Sequence, residues 1–205
     1  MFKQKLKRYY RIIKYILHKE TLVDYRESLW SFLGSFIGIS AIGFIQSKYL
    51  LPIENISLIG SFGATCVLLY GAIDSPLAQP RNLIGGHLIS AFIGVTVYKL
   101  CPDPIWFSAP LAVALSIMVM QYTKTLHPPG GATALIAVIG TEKIKSLGYL
   151  YLFSPVLSGI IILLFVAFLI NNLDAKRQYP AKSKLPKTIK KAIIPLKSHN
   201  KKNAA

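Results

Sequence analysis

The sequence predicts an all-α, polytopic membrane helix bundle, and three observations carry that prediction. Hydrophobic residues make up 53% of the 205 and charged residues only 16%, against about a quarter charged in ordinary globular chains; mean hydropathy is +0.46. Of the net charge of +16, residues 1–27 hold 8 Lys/Arg and 3 Asp/Glu, and residues 174–205 hold 10 and 1, so the two ends carry +5 and +9. Between them six neutral runs, 28–47, 55–73, 82–98, 104–123, 125–141 and 146–173, each reach 17 residues or more, and a helix crosses a bilayer with roughly 17–25 apolar residues. That distribution excludes a uniformly basic nucleic-acid-binding domain, a disordered polyelectrolyte and an ordinary soluble enzyme.

Residues 1–27 form the first unit. Phe2, Leu6, Tyr9, Tyr10, Ile13, Ile16 and Leu17 recur at helical spacing among Lys3, Lys7, Arg11 and Lys14, the pattern of a basic amphipathic helix lying on an anionic lipid surface. This stretch lacks an apolar core ending in a small-residue cleavage site, so no cleavable signal peptide is expected. The membrane region is 28–173. Its interruptions hold turn formers, Leu51-Pro52, Asp74-Ser75-Pro76 through Pro80-Arg81, and Pro102-Asp103-Pro104, and belong at interfaces or in protein-lined cavities. Gly34-x-x-x-Gly38 in the first run matches a helix-packing motif, usable either within one chain or in a homo-oligomer. Cys66 and Cys101 have no metal-ligand spacing and read as reduced packing residues. Residues 174–205 form a basic tail in which Leu185, Ile189, Ile193 and Leu196 repeat the amphipathic theme. The Lys/Arg bias places both ends in the cytoplasm, which requires an even number of crossings; the expected location is a bacterial inner (plasma) membrane.

The membrane region resembles itself. Ser61-Phe62-Gly63-Ala64-Thr65 aligns with Pro129-Gly130-Gly131-Ala132-Thr133 at an offset of 68, and Ile89-Ser90-Ala91 with Leu157-Ser158-Gly159 at the same offset. Trp30 and Ser40 map onto Trp106 and Ser116 at 76. Two three-segment halves, about 28–100 and 104–173, account for this; three crossings per half would make them inverted repeats. The middle segment of each half is short or broken. Gly60 and Gly63 in one, and Pro128, Pro129, Gly130 and Gly131 in the other, precede brief apolar stretches and predict half-helices that start within the membrane. A helix start leaves N–H groups unpaired beside a partial positive charge and so attracts an anion. Thr65 and Thr133 add hydroxyl donors at matching positions.

His127, at the head of the second broken segment, and His87, after Gly85-Gly86, are the membrane-zone imidazoles able to hold an anion or a proton. Arg81 and Asp74 flank the Pro-rich connector as a candidate ion pair, Arg81 alternatively attracting substrate, and Asn82 is a candidate helix cap. The candidate binding set is Ser61, Gly63, Ala64, Thr65, His87, His127, Gly130, Gly131, Ala132 and Thr133, with Arg81, Asn82 and Asp74 at the approach or fixing the loop. Tyr70, Gln121 and Tyr122 are lesser candidates for lining a path. No catalytic, metal or cofactor set is expected: the neutral runs contain no Asp or Glu, which disfavours a membrane enzyme using His127 as base.

His127-Pro128-Pro129-Gly130-Gly131-Ala132-Thr133-Ala134-Leu135 resembles the signature of the HPP family of integral membrane proteins. Gly60-Ser61-Phe62-Gly63-Ala64, and Asp74-Ser75-Pro76-Leu77-Ala78-Gln79-Pro80-Arg81-Asn82 followed by Gly85-Gly86-His87, also match that family's pattern. The similarity runs from about Trp30 to Asn172. It implies nitrite transport, an activity associated with chloroplast and cyanobacterial members, and four spans, which six segments accommodate if the two middle ones are re-entrant. The expectation is a transporter or channel for a small inorganic anion, nitrite first. A membrane scaffold acting through basic ends is the alternative. Expected partners are the anion and membrane lipids, with anionic lipid at the ends and no nucleic acid.

Overall fold

The computed structural model describes residues 2–19, 24–49 and 58–181, all of them helical or loop, with no strand. Eight α-helices follow in order: α1 (Phe2–Lys19), α2 (Tyr25–Tyr49), α3 (Gly60–Gly71), α4 (Pro80–Leu100), α5 (Ile105–Tyr122), α6 (Pro128–Ile139), α7 (Glu142–Ser146) and α8 (Ser158–Ile170). A 3-10 turn, Pro76–Ala78, precedes α4. Four segments are long and apolar enough to cross a membrane: Tyr25–Ile45, Pro80–Leu100, Ile105–Tyr122 and Gly148–Ile170. The other two apolar helices, α3 and α6, have 12 residues each. At 1.5 Å per residue they are about 18 Å long, short of the ~30 Å hydrocarbon core. α1 is helical as its periodicity predicts, with Leu6, Tyr9, Tyr10 and Ile13 exposed. The tail sequence beyond residue 181 lies outside the described residues.

The last span is broken too, which the neutral run 146–173 did not announce. It opens as a 3-10 turn, Gly148–Leu152, and passes through an extended Ser154 ahead of Pro155 before α8 begins. Proline lacks the N–H that a continuous helix would need there.

α4 and α6 lie at the centre, side by side and running in the same direction. Gly86 meets His127 and Gly130, while Gly94, two turns on, meets Ala134 and Ala137. The approach is close because α4 has no side chain at these points. A Cβ on Gly94 would stand 2.6 Å from the Ala134 carbonyl oxygen and 2.9 Å from its Cα. α3 runs antiparallel to α2: Leu58, just before α3, lies beside Gly43, and Tyr70, near its end, covers Gly34 and Gly38. The Gly34-x-x-x-Gly38 spacing thus accommodates an aromatic ring of the same chain, and the Tyr70 hydroxyl continues past it to the Leu163 carbonyl, 2.9 Å away. Cys66 is buried and Cys101 partly so; both are free thiols.

At one end of the bundle, polar side chains close α3. Its last carbonyls are taken by Asn171 Nδ2 on Leu69 O (2.8 Å), Arg177 Nη2 on Tyr70 O (2.8 Å) and Ser31 Oγ on Tyr70 O (2.9 Å). A cation at a helix C-terminus meets both its orphan carbonyls and its negative dipole end. Arg177 also pairs with Glu27 (3.0 Å), while Asp174 accepts from Arg26 and from the Trp30 indole (2.9 Å). Asn171, Asp174 and Arg177 are all buried. They join the start of α2 to the ends of α3 and α8. The Lys176 backbone N–H, then Trp30 and Arg26, hold the Asp174 carboxyl below the usual carboxylate range.

These contacts set the expected effect of substitution at four positions. Gly94→Ala is expected to destabilise the bundle by about 1–3 kcal/mol, the usual cost of overpacking. Gly63→Ala, where a Cβ meets nothing within 4 Å, is expected to be neutral or slightly stabilising; thermal unfolding in detergent compares them. Because Asp174 is held in its charged form by folding, its contribution is present near neutrality and lost as pH falls through its folded-state value. Asp174→Asn should flatten that acid limb of the stability profile, and Arg177→Met should cost about 2–4 kcal/mol by leaving buried acceptors unpaired.

Candidate functional site

A cluster of four polar side chains sits where α3, α4 and α6 meet, each fully buried: Thr65, His87, His127 and Thr133. Thr65 lies in the second turn of α3 and Thr133 in the second turn of α6, the two positions that the offset of 68 equates. Both face one imidazole. His87 Nε2 is 2.8 Å from Thr65 Oγ1 and His87 Nδ1 is 2.7 Å from Thr133 Oγ1. Each threonine also reaches back one turn to its own helix, Thr65 to Ser61 O (2.9 Å) and Thr133 to Pro129 O (3.3 Å).

His127 occupies the N-cap position of α6 with extended backbone, and its side chain turns away from the helix. Its Nδ1 lies 2.8 Å from the Leu77 carbonyl in the 3-10 turn, and its Nε2 is 3.4 Å from Thr65 Oγ1. A carbonyl only accepts, so Nδ1 donates. The two imidazole centroids are 4.9 Å apart. Phe62 stands edge-on to His87 at 6.0 Å, pressed against Gly159 of α8. Tyr151, from the last span, donates to Thr133 O at 3.2 Å. Ser61, at the start of α3, is fully buried and its hydroxyl has no hydrogen-bond partner. Such a group in an apolar interior costs free energy unless something binds it.

Five of the ten binding candidates, Ser61, Thr65, His87, His127 and Thr133, thus share this buried region, with Gly130 packed beside them against Gly86 and Ser90. Gly63 and Ala64 do not: both are exposed on the opposite side of α3. Gly131 and Ala132 line an apolar cleft of about 540 Å³ between α5 and α6, with Val113, Ile117, Met120, Leu126 and Leu135. Helical periodicity explains the split, since consecutive residues of a motif cannot all face one way. Of the lesser path candidates, Gln121 lines this cleft, Tyr122 is exposed and Tyr70 is buried.

The start of α6 offers fewer amides than its broken sequence suggests. Pro128 and Pro129 have no N–H, and Gly130 N–H is given to His127 O at 2.8 Å. Arg81 does not pair with Asp74; its Nη2 donates to Thr123 O at 3.0 Å. Asn82 is not a cap either. Gln79 holds the N-cap position of α4, and Asn82 Nδ2 donates to Leu126 O at 2.8 Å. Both side chains tie α4 to the lead-in of α6, a longer-range partner that local capping rules do not foresee. Among the described residues no group of three or more His, Cys, Asp or Glu is placed to hold a metal ion.

With this geometry in place, comparison with known proteins becomes specific. A family profile described as HPP, transmembrane region, matches residues 20–180. The chain belongs to the HPP family. Two transmembrane proteins of Dictyostelium discoideum are 46% and 44% identical to it, each over 162 residues and 77% of this chain. The alignments cover 56% and 51% of those relatives, so the chain spans about half the length of the curated relatives it matches. No solved structure matches. The matched region holds the four long apolar segments, both short helices and the whole histidine cluster, and this HPP protein is an integral membrane protein.

Proposed function

We infer that this HPP protein is a transporter or channel for a small inorganic anion, nitrite being the first candidate, with Ser61, Thr65, His87, His127 and Thr133 as its binding groups. The observation that carries the reading is a fully buried polar cluster without a carboxylate, set among apolar helices where two short helices meet. Hydroxyl and imidazole donors hold a compact anion; a cation site would need carboxylates or a cage of carbonyls. The unpartnered Ser61 hydroxyl and the positive end of α3 add to this preference. α6 contributes less through its amides and more through His127 and Thr133.

The chain in this reading traverses the membrane six times, as two inverted three-segment halves. What supports this is the alternation of ends. Arg81 joins the start of α4 to the end of α5 through Thr123. At the other end Lys145, in α7 after α6, lies over the Tyr98 ring near the end of α4. α6 in this reading passes between the two sides behind the extended His127 rather than dipping in and returning, and α3, antiparallel along α2, does the same. The basic α1, with Leu6, Tyr9, Tyr10 and Ile13 exposed, lies in this picture on anionic lipid.

Proteoliposomes provide the test. Saturable nitrite uptake is expected, with nitrate, formate and chloride as competitors. His127→Ala and Thr133→Val should each lower it by about tenfold or more, the scale of one lost hydrogen bond to a charged group. Tyr122→Phe, on the exposed surface, should leave it unchanged. Folded protein that moves none of these anions above empty liposomes would overturn the reading and favour a scaffold acting through the basic ends.

A further inference from the structure

Leu77 O can only accept, so His127 Nδ1 carries its hydrogen in every state of the cluster. With both rings neutral, His127 then presents a bare Nε2, and the hydroxyl placed to serve it is Thr65, at 3.4 Å. Thr65 has one hydrogen. Once that goes to His127, its oxygen accepts from His87 Nε2 at 2.8 Å, and the bare His87 Nδ1 accepts the Thr133 hydroxyl at 2.7 Å. Among neutral assignments this one leaves no ring nitrogen without a partner. It runs one way, from Thr133 through His87, Thr65 and His127 to Leu77.

Each threonine also has a second acceptor, Ser61 O for Thr65 and Pro129 O for Thr133. Either hydroxyl can therefore withdraw its hydrogen from an imidazole and stay satisfied. A proton added at His87 Nδ1 makes an N–H that donates to Thr133 Oγ1, whose own hydroxyl turns to Pro129 O. From there His87 can pass its Nε2 hydrogen to Thr65 while Thr65 passes its own to His127 Nε2. One O–H and one N–H bond form as one of each breaks, and the positive charge moves from one ring to the other with no hydrogen bond lost. Two added protons do not fit, because the ring centroids are 4.9 Å apart and no carboxylate offsets the repulsion. The titratable neighbours are Tyr151, whose hydroxyl is engaged on Thr133 O, and the buried Cys66 of α3. Ser90 of α4 and Met120 of α5 face each other alongside. Among the described residues, no Asp, Glu, Lys or Arg hydrogen-bonds or pairs with the four side chains.

We propose that Thr65, His87, His127 and Thr133 form a single shared proton site, loaded once per anion so that proton and anion pass as a neutral pair. This rests on the anion reading for its transport role, but not for proton binding itself. Ring-nitrogen NMR of histidine-labelled protein in nanodiscs, with His18→Gln and His199→Gln to leave two histidines, tests it. At the alkaline end His87 should be the Nε2–H tautomer and His127 the Nδ1–H tautomer. Acidification should add one proton to the pair, the second requiring a proton concentration about a hundredfold higher or more. Thr133→Val should confine the first proton to His127, and Thr133→Ser should restore sharing. Other resting tautomers, rings that titrate together without separation, or rings that stay neutral wherever circular dichroism shows folded protein would each overturn the proposal. Nitrite flux into liposomes, measured in parallel, separates the two readings. Stepwise protonation without flux supports the proton site and refutes transport, whereas flux through a pair that does not titrate refutes the proton site.

Discussion

Satisfying polar groups without water is the constraint on which this structure depends. Within a hydrocarbon-thick bundle a hydroxyl, imidazole or free carbonyl costs free energy unless it finds a partner in the protein, and nearly all do, Ser61 being an exception. The two short helices make this acute, because each ends its backbone ladder inside the bundle or near its edge. The chain meets the demand differently at two places. At the end of α3, Asn171, Arg177 and Ser31 take the last carbonyls. At the start of α6, Pro128 and Pro129 remove donors outright and His127 turns its ring to Leu77.

The two polar regions differ in charge and therefore in consequence. The network at the end of α3 contains full ion pairs and is held at the protein's edge, where Arg26 and Glu27 remain part-exposed. It fixes how α2, α3 and α8 start and stop. The histidine cluster contains no Asp, Glu, Lys or Arg and lies on the central α4–α6 contact. Interhelical hydrogen bonds in membranes average only about 0.6 kcal/mol, so this cluster is a weak source of stability for the packing volume it occupies. Close glycine contacts, Gly86 on His127 and Gly94 on Ala134, do more to hold these helices together. That leaves the hydroxyls free to exchange partners at little energetic cost.

Several site residues were legible in the sequence and others were not. Thr65 and Thr133 were visible as equivalent positions of a weak self-match, and His127 through its Pro-Pro-Gly-Gly context. His87 was visible as a polar residue in a neutral run and as the end of the Gly85-Gly86-His87 motif; nothing in its neighbourhood revealed that both threonines would converge on its two ring nitrogens. Tyr151 was missed, because within the neutral run 146–173 nothing local marks a hydroxyl that reaches Thr133 O. Gly63, Ala64, Gly131 and Ala132 were grouped with the site because they adjoin it in sequence, but the helix turns them to the other side. The Arg81–Asp74 pair failed because sequence proximity across a proline-rich turn is a poor guide to where a long side chain reaches.

By itself the sequence determined the class of the molecule, the position of the apolar segments, the two short ones among them and the family. The class and the segments follow from composition, charge spacing and the placement of Pro and Gly, which act locally and are additive along the chain, whereas the family follows from the resemblance of three ordered motifs. Only the tertiary structure decided which faces of α3, α4 and α6 meet, that two histidines lie ring to ring, and that Gly34 and Gly38 receive Tyr70. In a chain with so few membrane-zone charges, almost any face of a helix is apolar enough to be buried. The choice falls to close packing and to the pairing of a handful of polar atoms, and both are properties of several segments at once.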